Sequence, residues 1–112
     1  MIIKSKTLYA RNISRILDCE FFGPDKKVTN LSYISFRSKS EKLCVFCEDM
    51  YHFSLALENN SVNIVITNKE VLSNIKKNLV DIDKSLLITS SPIKDFFKLH
   101  NFLLNNTEFY DE

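Results

Sequence analysis

At 112 residues the chain has room for one domain and one modest hydrophobic core. Its 45% apolar content excludes a disordered segment, and 26% charged residues suit a solvated exterior. With 15 basic against 14 acidic side chains the net charge is +1, which leaves no global field to draw the chain onto nucleic acid or an acidic membrane.

The first periodic segment runs from Ala10 to Leu17, where Ala10, Ile13, Ile16 and Leu17 recur at three- and four-residue intervals and so predict one buried face of a short helix. The β-prone CEFF follows, then a turn at Gly23 to Asp25, then a strand over Lys27 to Leu31. LCVF, from Leu43, is a continuous apolar run of strand length. EDMYHFSLALENN reads as a helix whose opening carboxylates suit the positive end of its dipole, and VNIVIT is a β-branched run typical of a buried strand. The alternation repeats with KEVLSNIKKNL as a helix and SLLIT as a strand. SSPIKDFFKLHNFLL forms the last helix, with Ser91 at its N-cap and Pro92 in its first turn. NNTEFYDE, from residue 105, reads as a frayed tail or the start of a linker. Strands alternating with helices predict a single α/β domain over 1–112, with a small mixed or mostly parallel sheet and helices on both faces.

No apolar run approaches the roughly 20 residues that span a bilayer. The opening MIIKSKTLYARN lacks the apolar stretch of a signal peptide, so a cytoplasmic location is expected. One glycine, Gly23, excludes the glycine-rich loops that cradle phosphates in Walker A and dinucleotide sites. Basic side chains outnumber acidic ones by nine to five over residues 1–48, a mild asymmetry that fits a solvated surface.

The stretch LCVFCEDMYHF concentrates the chemistry-bearing residues. Cys44 and Cys47 stand three apart, so on a strand they point to opposite faces and do not chelate together. Cys19, His52 and His100 offer no knuckle spacing for a structural zinc, and the helix begins past the cysteine pair rather than at it, unlike a redox dithiol. No metal or cofactor is expected, the three cysteines are expected to be reduced, with Cys44 a small core residue and Cys47 a filler at the strand end, and His52 and His100 to lie on helix surfaces. No serine sits in a nucleophile elbow, so no catalytic residue is assigned. What remains is a buried strand ending in Glu48, Asp49 and Tyr51 before a helix, the end of an open α/β sheet where ligands bind.

The succession LDCEFFG, VTNLSYIS, LCVFCEDMY, ALENNSVNIVIT and SLLITSSPIKDFFKLHNFL resembles the N-terminal non-repeat domain of UDP-3-O-acylglucosamine N-acyltransferase, a lipid A pathway enzyme, over about Leu8 to Leu104. In that family the segment matching LCVFCEDMY is similar to L-S-F-L-x-N-x-x-Y, whose Phe and Tyr stack on uracil and whose Asn hydrogen-bonds it. The resemblance puts Tyr51 at the tyrosine, Val45 at the phenylalanine and Glu48 at the asparagine. Phe46 could supply the missing ring if the strand end were bulged. It implies a non-catalytic domain that recognises the uridine of a UDP-sugar through Tyr51, Phe46, Glu48 and Val45. Acyl transfer would then fall to hexapeptide repeats of a C-terminal domain or partner chain. Two alternatives stand beside it. The N-terminal UDP-binding domain of Mur ligases has a similar look around Phe53, Ala56, Ile64 and Val65, with Asn60 and Ser61 in place of its Gly-Ala and SFRS, Ser35 to Ser38, in place of its Asp-Ser-Arg. A protein-interaction module on the same fold, without nucleotide binding, is the other.

Overall fold

A computed structural model describes residues 7–75, 81–107 and 109–110. Its centre is a five-stranded sheet in the order β2 (Glu20–Phe22), β7 (Ser85–Ile88), β6 (Val62–Thr67), β5 (Leu43–Phe46), β4 (Asn30–Leu31). Strands β4 to β7 are mutually parallel, and β2 pairs antiparallel with β7 at one edge. A separate two-stranded pair joins β1 (Leu8–Tyr9) to β3 (Lys27–Val28).

The central strands are buried on both sides, and alternation sorts their residues into two cores. Cys44, Phe46, Ile64, Ile66 and Leu87 face α1 (Ala10–Leu17) and α4 (Pro92–Asn106), whose Ile13, Leu17, Phe96, Leu99 and Leu103 cover them. Leu43, Val45, Val62, Val65, Leu86 and Ile88 face α2 (Met50–Glu58) and α3 (Lys69–Ser73), which contribute Phe53, Ala56 and Val71. The chain is therefore a three-layer α/β fold with helices on both faces. Cys44 and Cys47 fall into different cores, as the strand period requires.

Three segments differ from the reading of the sequence. The strand expected over Lys27 to Leu31 is split at Thr29, so that Lys27–Val28 joins the small pair and Asn30–Leu31 the main sheet. Thr29 makes the break: its N–H donates to the Lys42 carbonyl at 2.7 Å, and its hydroxyl bonds the Glu41 carboxylate. Helix α3 closes at Ser73, where the Asn74 side chain donates to the Glu70 carbonyl at 2.9 Å. The rest of the helix expected over KEVLSNIKKNL falls largely on residues 76–80, outside the described residues. At the C-terminus, α4 continues to Asn106, Phe109 is 4% exposed in the first core, and the Tyr110 hydroxyl lies 2.7 Å from His100 Nδ1. Where a frayed tail was expected, Phe109 and Tyr110 pack back onto α4, because two aromatic rings supply the apolar area that a polar tail lacks.

Candidate functional site

Strands β4 to β7 stand in sequence order, so the sheet has no reversal of strand order at which a crevice would open by topology alone. The concavity beside β5 has another origin. Residues 32–42 connect β4 to β5 without a helix, and the first part of this loop stands off the sheet as a wall. A turn closed by the Phe36 N–H on the Tyr33 carbonyl at 3.1 Å shapes it.

Buried polar side chains hold that wall. Asn59, 1% exposed at the C-terminal end of α2, donates from Nδ2 to the carbonyls of Ile34 at 2.8 Å and Phe36 at 2.7 Å, and its Oδ1 accepts from the Ser61 N–H at 3.0 Å. Ser61 adds a reciprocal pair: its hydroxyl donates to the Ser38 carbonyl and accepts from the Ser38 N–H, both at 2.8 Å. Loop backbone that would otherwise depend on water is thereby fixed to the core.

Between this wall and the start of α2 lies a cleft of about 550 Å3. Ser32, Tyr33, Ile34 and Ser35 form one side. Phe46, Cys47, Glu48 and Asp49 from the end of β5, with Tyr51, His52 and Leu55 from α2, form the floor and the other side. Tyr33 and Tyr51 are 80% and 70% exposed, an unusual state for two rings bordering one hollow. Among the described residues, no Lys or Arg lines it.

The polar groups of the cleft are ordered by the helix start. Asp49 is the N-cap of α2, with its Oδ1 accepting the His52 N–H at 2.8 Å. Both carboxylate oxygens also lie 2.8 Å from His52 Nδ1. The backbone hydrogen bond from His52, and then the bond from its ring, hold the Asp49 carboxyl below its ordinary value. The Tyr51 and His52 rings meet edge to face, 5.2 Å between centroids and 81° between planes. An acidic N-cap three residues before a histidine is a spacing visible in the sequence as D-x-x-H, yet this pair was not read from it: a histidine in the first turn of an amphipathic helix reads as surface.

The residues singled out from the sequence are not all brought together. Tyr51 and Glu48 border the cleft and are exposed. Val45, at the position of the family's phenylalanine, is fully buried against the α2 side of the sheet and presents no surface to a ligand. Phe46 points the other way, its ring 4.8 Å from Phe96 and 6.5 Å from Phe97, and borders the cleft at the end of β5. No bulge turns it round, since Val45 and Phe46 pair in regular register with Val65 and Ile66 and the irregularity of β5 lies between Leu43 and Cys44.

Cys44 and Cys47 are core groups, and Cys19 is half-buried at the edge of the first core. Burial raises the Cys44 thiol far above its ordinary value and pushes Cys47, whose sulfur lies 3.5 Å from the Thr67 hydroxyl, up to about 11. Cys19 is also pushed up to about 11, first by burial and then by the charges of Asp95 and Asp18. Among the described residues, no three His, Cys, Asp or Glu side chains converge as a metal site. No described helix is long and apolar enough to cross a membrane. A second cleft, of about 590 Å3, opens near Asp18, Glu20, Lys69 and Asp95, without an aromatic ring to hold a planar ligand. Compared with known proteins, the chain matches no family model and no curated sequence.

Proposed function

We propose that the cleft beside the start of α2 receives the uracil base of a UDP-sugar, in a recognition domain that carries out no group transfer itself. The observation that carries this reading is Tyr51: a ring 70% exposed on the first turn of a capped helix, bordering a hollow that offers both carboxylate acceptors and hydroxyl donors. Stacking a base on such a ring contributes about 1–3 kcal/mol. Glu48 can accept from the imide N3–H of uracil, and the Ser32 and Ser35 hydroxyls can donate to its carbonyls. The likeness of LCVFCEDMY to the uridine-binding segment of the UDP-3-O-acylglucosamine N-acyltransferases, and the more distant likeness to Mur ligase N-terminal domains, point to the same ligand.

The lining also limits the reading. With Glu48 and Asp49 present and no Lys or Arg among the described residues that line it, the cleft suits a neutral base better than a diphosphate, and the phosphates lie outside. Uridine added to isotope-labelled protein should shift amide signals of Ser32–Ser35 and of residues 46–55, and Tyr51→Ala should abolish the shifts. Absence of shifts at millimolar uridine would remove the proposal.

One observation favours the second reading, a protein-interaction module. Ile93, Phe97 and Leu104 are 43%, 54% and 57% exposed on one side of α4, next to its buried stripe. In that case amide shifts would follow addition of a partner protein, along α4, and not addition of a nucleoside.

A further inference from the structure

The Asp49–His52 pair has a geometry that a merely solvated histidine does not need. Both Asp49 oxygens approach the same ring nitrogen, Nδ1, at 2.8 Å, and a carboxylate can only accept. The Nδ1 proton is thereby held on the Asp49 side, and in the neutral imidazole Nε2 is left as a bare acceptor. Asp49 is itself fixed, because it caps α2 through the His52 N–H. The imidazole adjoins the exposed Tyr51, with 5.2 Å between ring centroids and 81° between planes.

We propose that His52 Nε2 is the acceptor for the imide N3–H of the bound base, which makes His52 a specificity-determining residue that selects uracil over cytosine. This inference rests on the reading of the cleft as a uracil site. Uracil carries a donor at N3, whereas cytosine carries an acceptor there and would set lone pair against lone pair. Glu48 is the competing acceptor, but it is exposed and has no side-chain hydrogen bond that would fix its direction, whereas His52 is held by two contacts to Asp49. The titratable side chains that share the cleft with His52 are Tyr33, Cys47, Glu48, Asp49 and Tyr51, with no Lys or Arg among the described residues that line it.

The test measures dissociation constants of uridine, 3-methyluridine and cytidine from amide shifts, for the unmodified protein, His52→Ala and Glu48→Gln. One neutral hydrogen bond corresponds to roughly a tenfold change in affinity. Uridine is expected to bind about tenfold more tightly than 3-methyluridine, whose methyl group blocks N3, and His52→Ala is expected to remove that difference while leaving 3-methyluridine binding unchanged. His52 is exposed, so its replacement leaves the core intact, and the heteronuclear spectrum of the variant verifies that it is folded. A histidine that served only to steady α2 would weaken both nucleosides equally. Equal binding of uridine and 3-methyluridine, or loss of the difference in Glu48→Gln instead, would overturn the assignment of His52 and leave the uracil reading standing. Binding of none of the three nucleosides would remove both.

Discussion

Replacing Asn59 by alanine would test how the outer wall of the cleft is held. The side chain is 1% exposed and makes three hydrogen bonds, two donated to the carbonyls of Ile34 and Phe36 and one accepted from the Ser61 N–H. Each contributes about 1 kcal/mol net, and a buried group left without a partner costs about 1–3 kcal/mol. Phe36 is 47% exposed and Ile34 half-buried, so water can reach the freed carbonyls and the upper limit does not apply. The expected loss is therefore about 3 kcal/mol, a substantial part of the roughly 5–15 kcal/mol that stabilises a domain of this size. With a urea dependence of about 1.5 kcal/mol per molar, the unfolding midpoint should fall by ~2 M. Because Ser61 still ties Ser38, the loop should loosen around residues 33–36 rather than detach, and amide exchange should accelerate there before it does in β5 or β6. A midpoint shift below about 0.3 M, or exchange that accelerates evenly through the sheet, would refute the view that Asn59 is the clamp of this wall.

Other perturbations have equally definite outcomes. Gly23 has φ +92°, and a Cβ placed there would stand 2.8 Å from the Lys84 carbonyl oxygen, a backbone atom that cannot swing aside. Gly23→Ala should therefore cost at least about 2 kcal/mol and lower the melting temperature by roughly 10 °C; an unchanged melting temperature would contradict the close approach of the turn to β7. Because the Asp49 carboxyl is held below its ordinary 3.8, its contribution to stability is complete above that value and lost as the pH falls through the depressed one. Circular dichroism and amide exchange at the start of α2 should register that loss at acid pH, and Asp49→Ala should remove the dependence; an acid transition identical in the variant would count against the cap. The Cys19 thiol, pushed up to about 11 by burial, should react with Ellman's reagent at pH 8 roughly tenfold more slowly than an ordinary thiol, its smaller thiolate fraction being partly offset by the greater nucleophilicity of a more basic thiolate. Cys44 and Cys47 should react at the rate of unfolding. Fast labelling of any of the three in the native protein would contradict their burial.

The parts of this structure legible in the sequence are those set by hydrophobic period. The three- and four-residue spacing over Ala10 to Leu17 marks a helix with those bounds, and the runs LCVF, VNIVIT and SLLI are strands buried on both faces. Legibility fails where a polar side chain redirects the backbone. Thr29 divides what the composition joins, since its bonds to Lys42 and Glu41 have no signature in a window around residue 29. The cleft is similar: its wall depends on Asn59, which at the end of EDMYHFSLALENN reads as a polar residue of a closing helix, and whose partners lie 23 and 25 residues away. At Val45 and Phe46 the strand period alone states that the two face opposite sides, but which of them faces the cleft depends on the packing of α2 and α4.

The uracil site is tested most directly by a comparison of uridine with UDP as ligands, each titrated into the labelled protein at low and at physiological salt. If the cleft holds the base on Tyr51 and has no cation for the phosphates, both ligands will shift the same amides around Ser32–Ser35 and residues 46–55. Their affinities will agree within about threefold, and salt will change them little. UDP binding that is tenfold or more tighter and weakens steeply with salt would place the recognised charge elsewhere, and shifts confined to another surface would contradict the site.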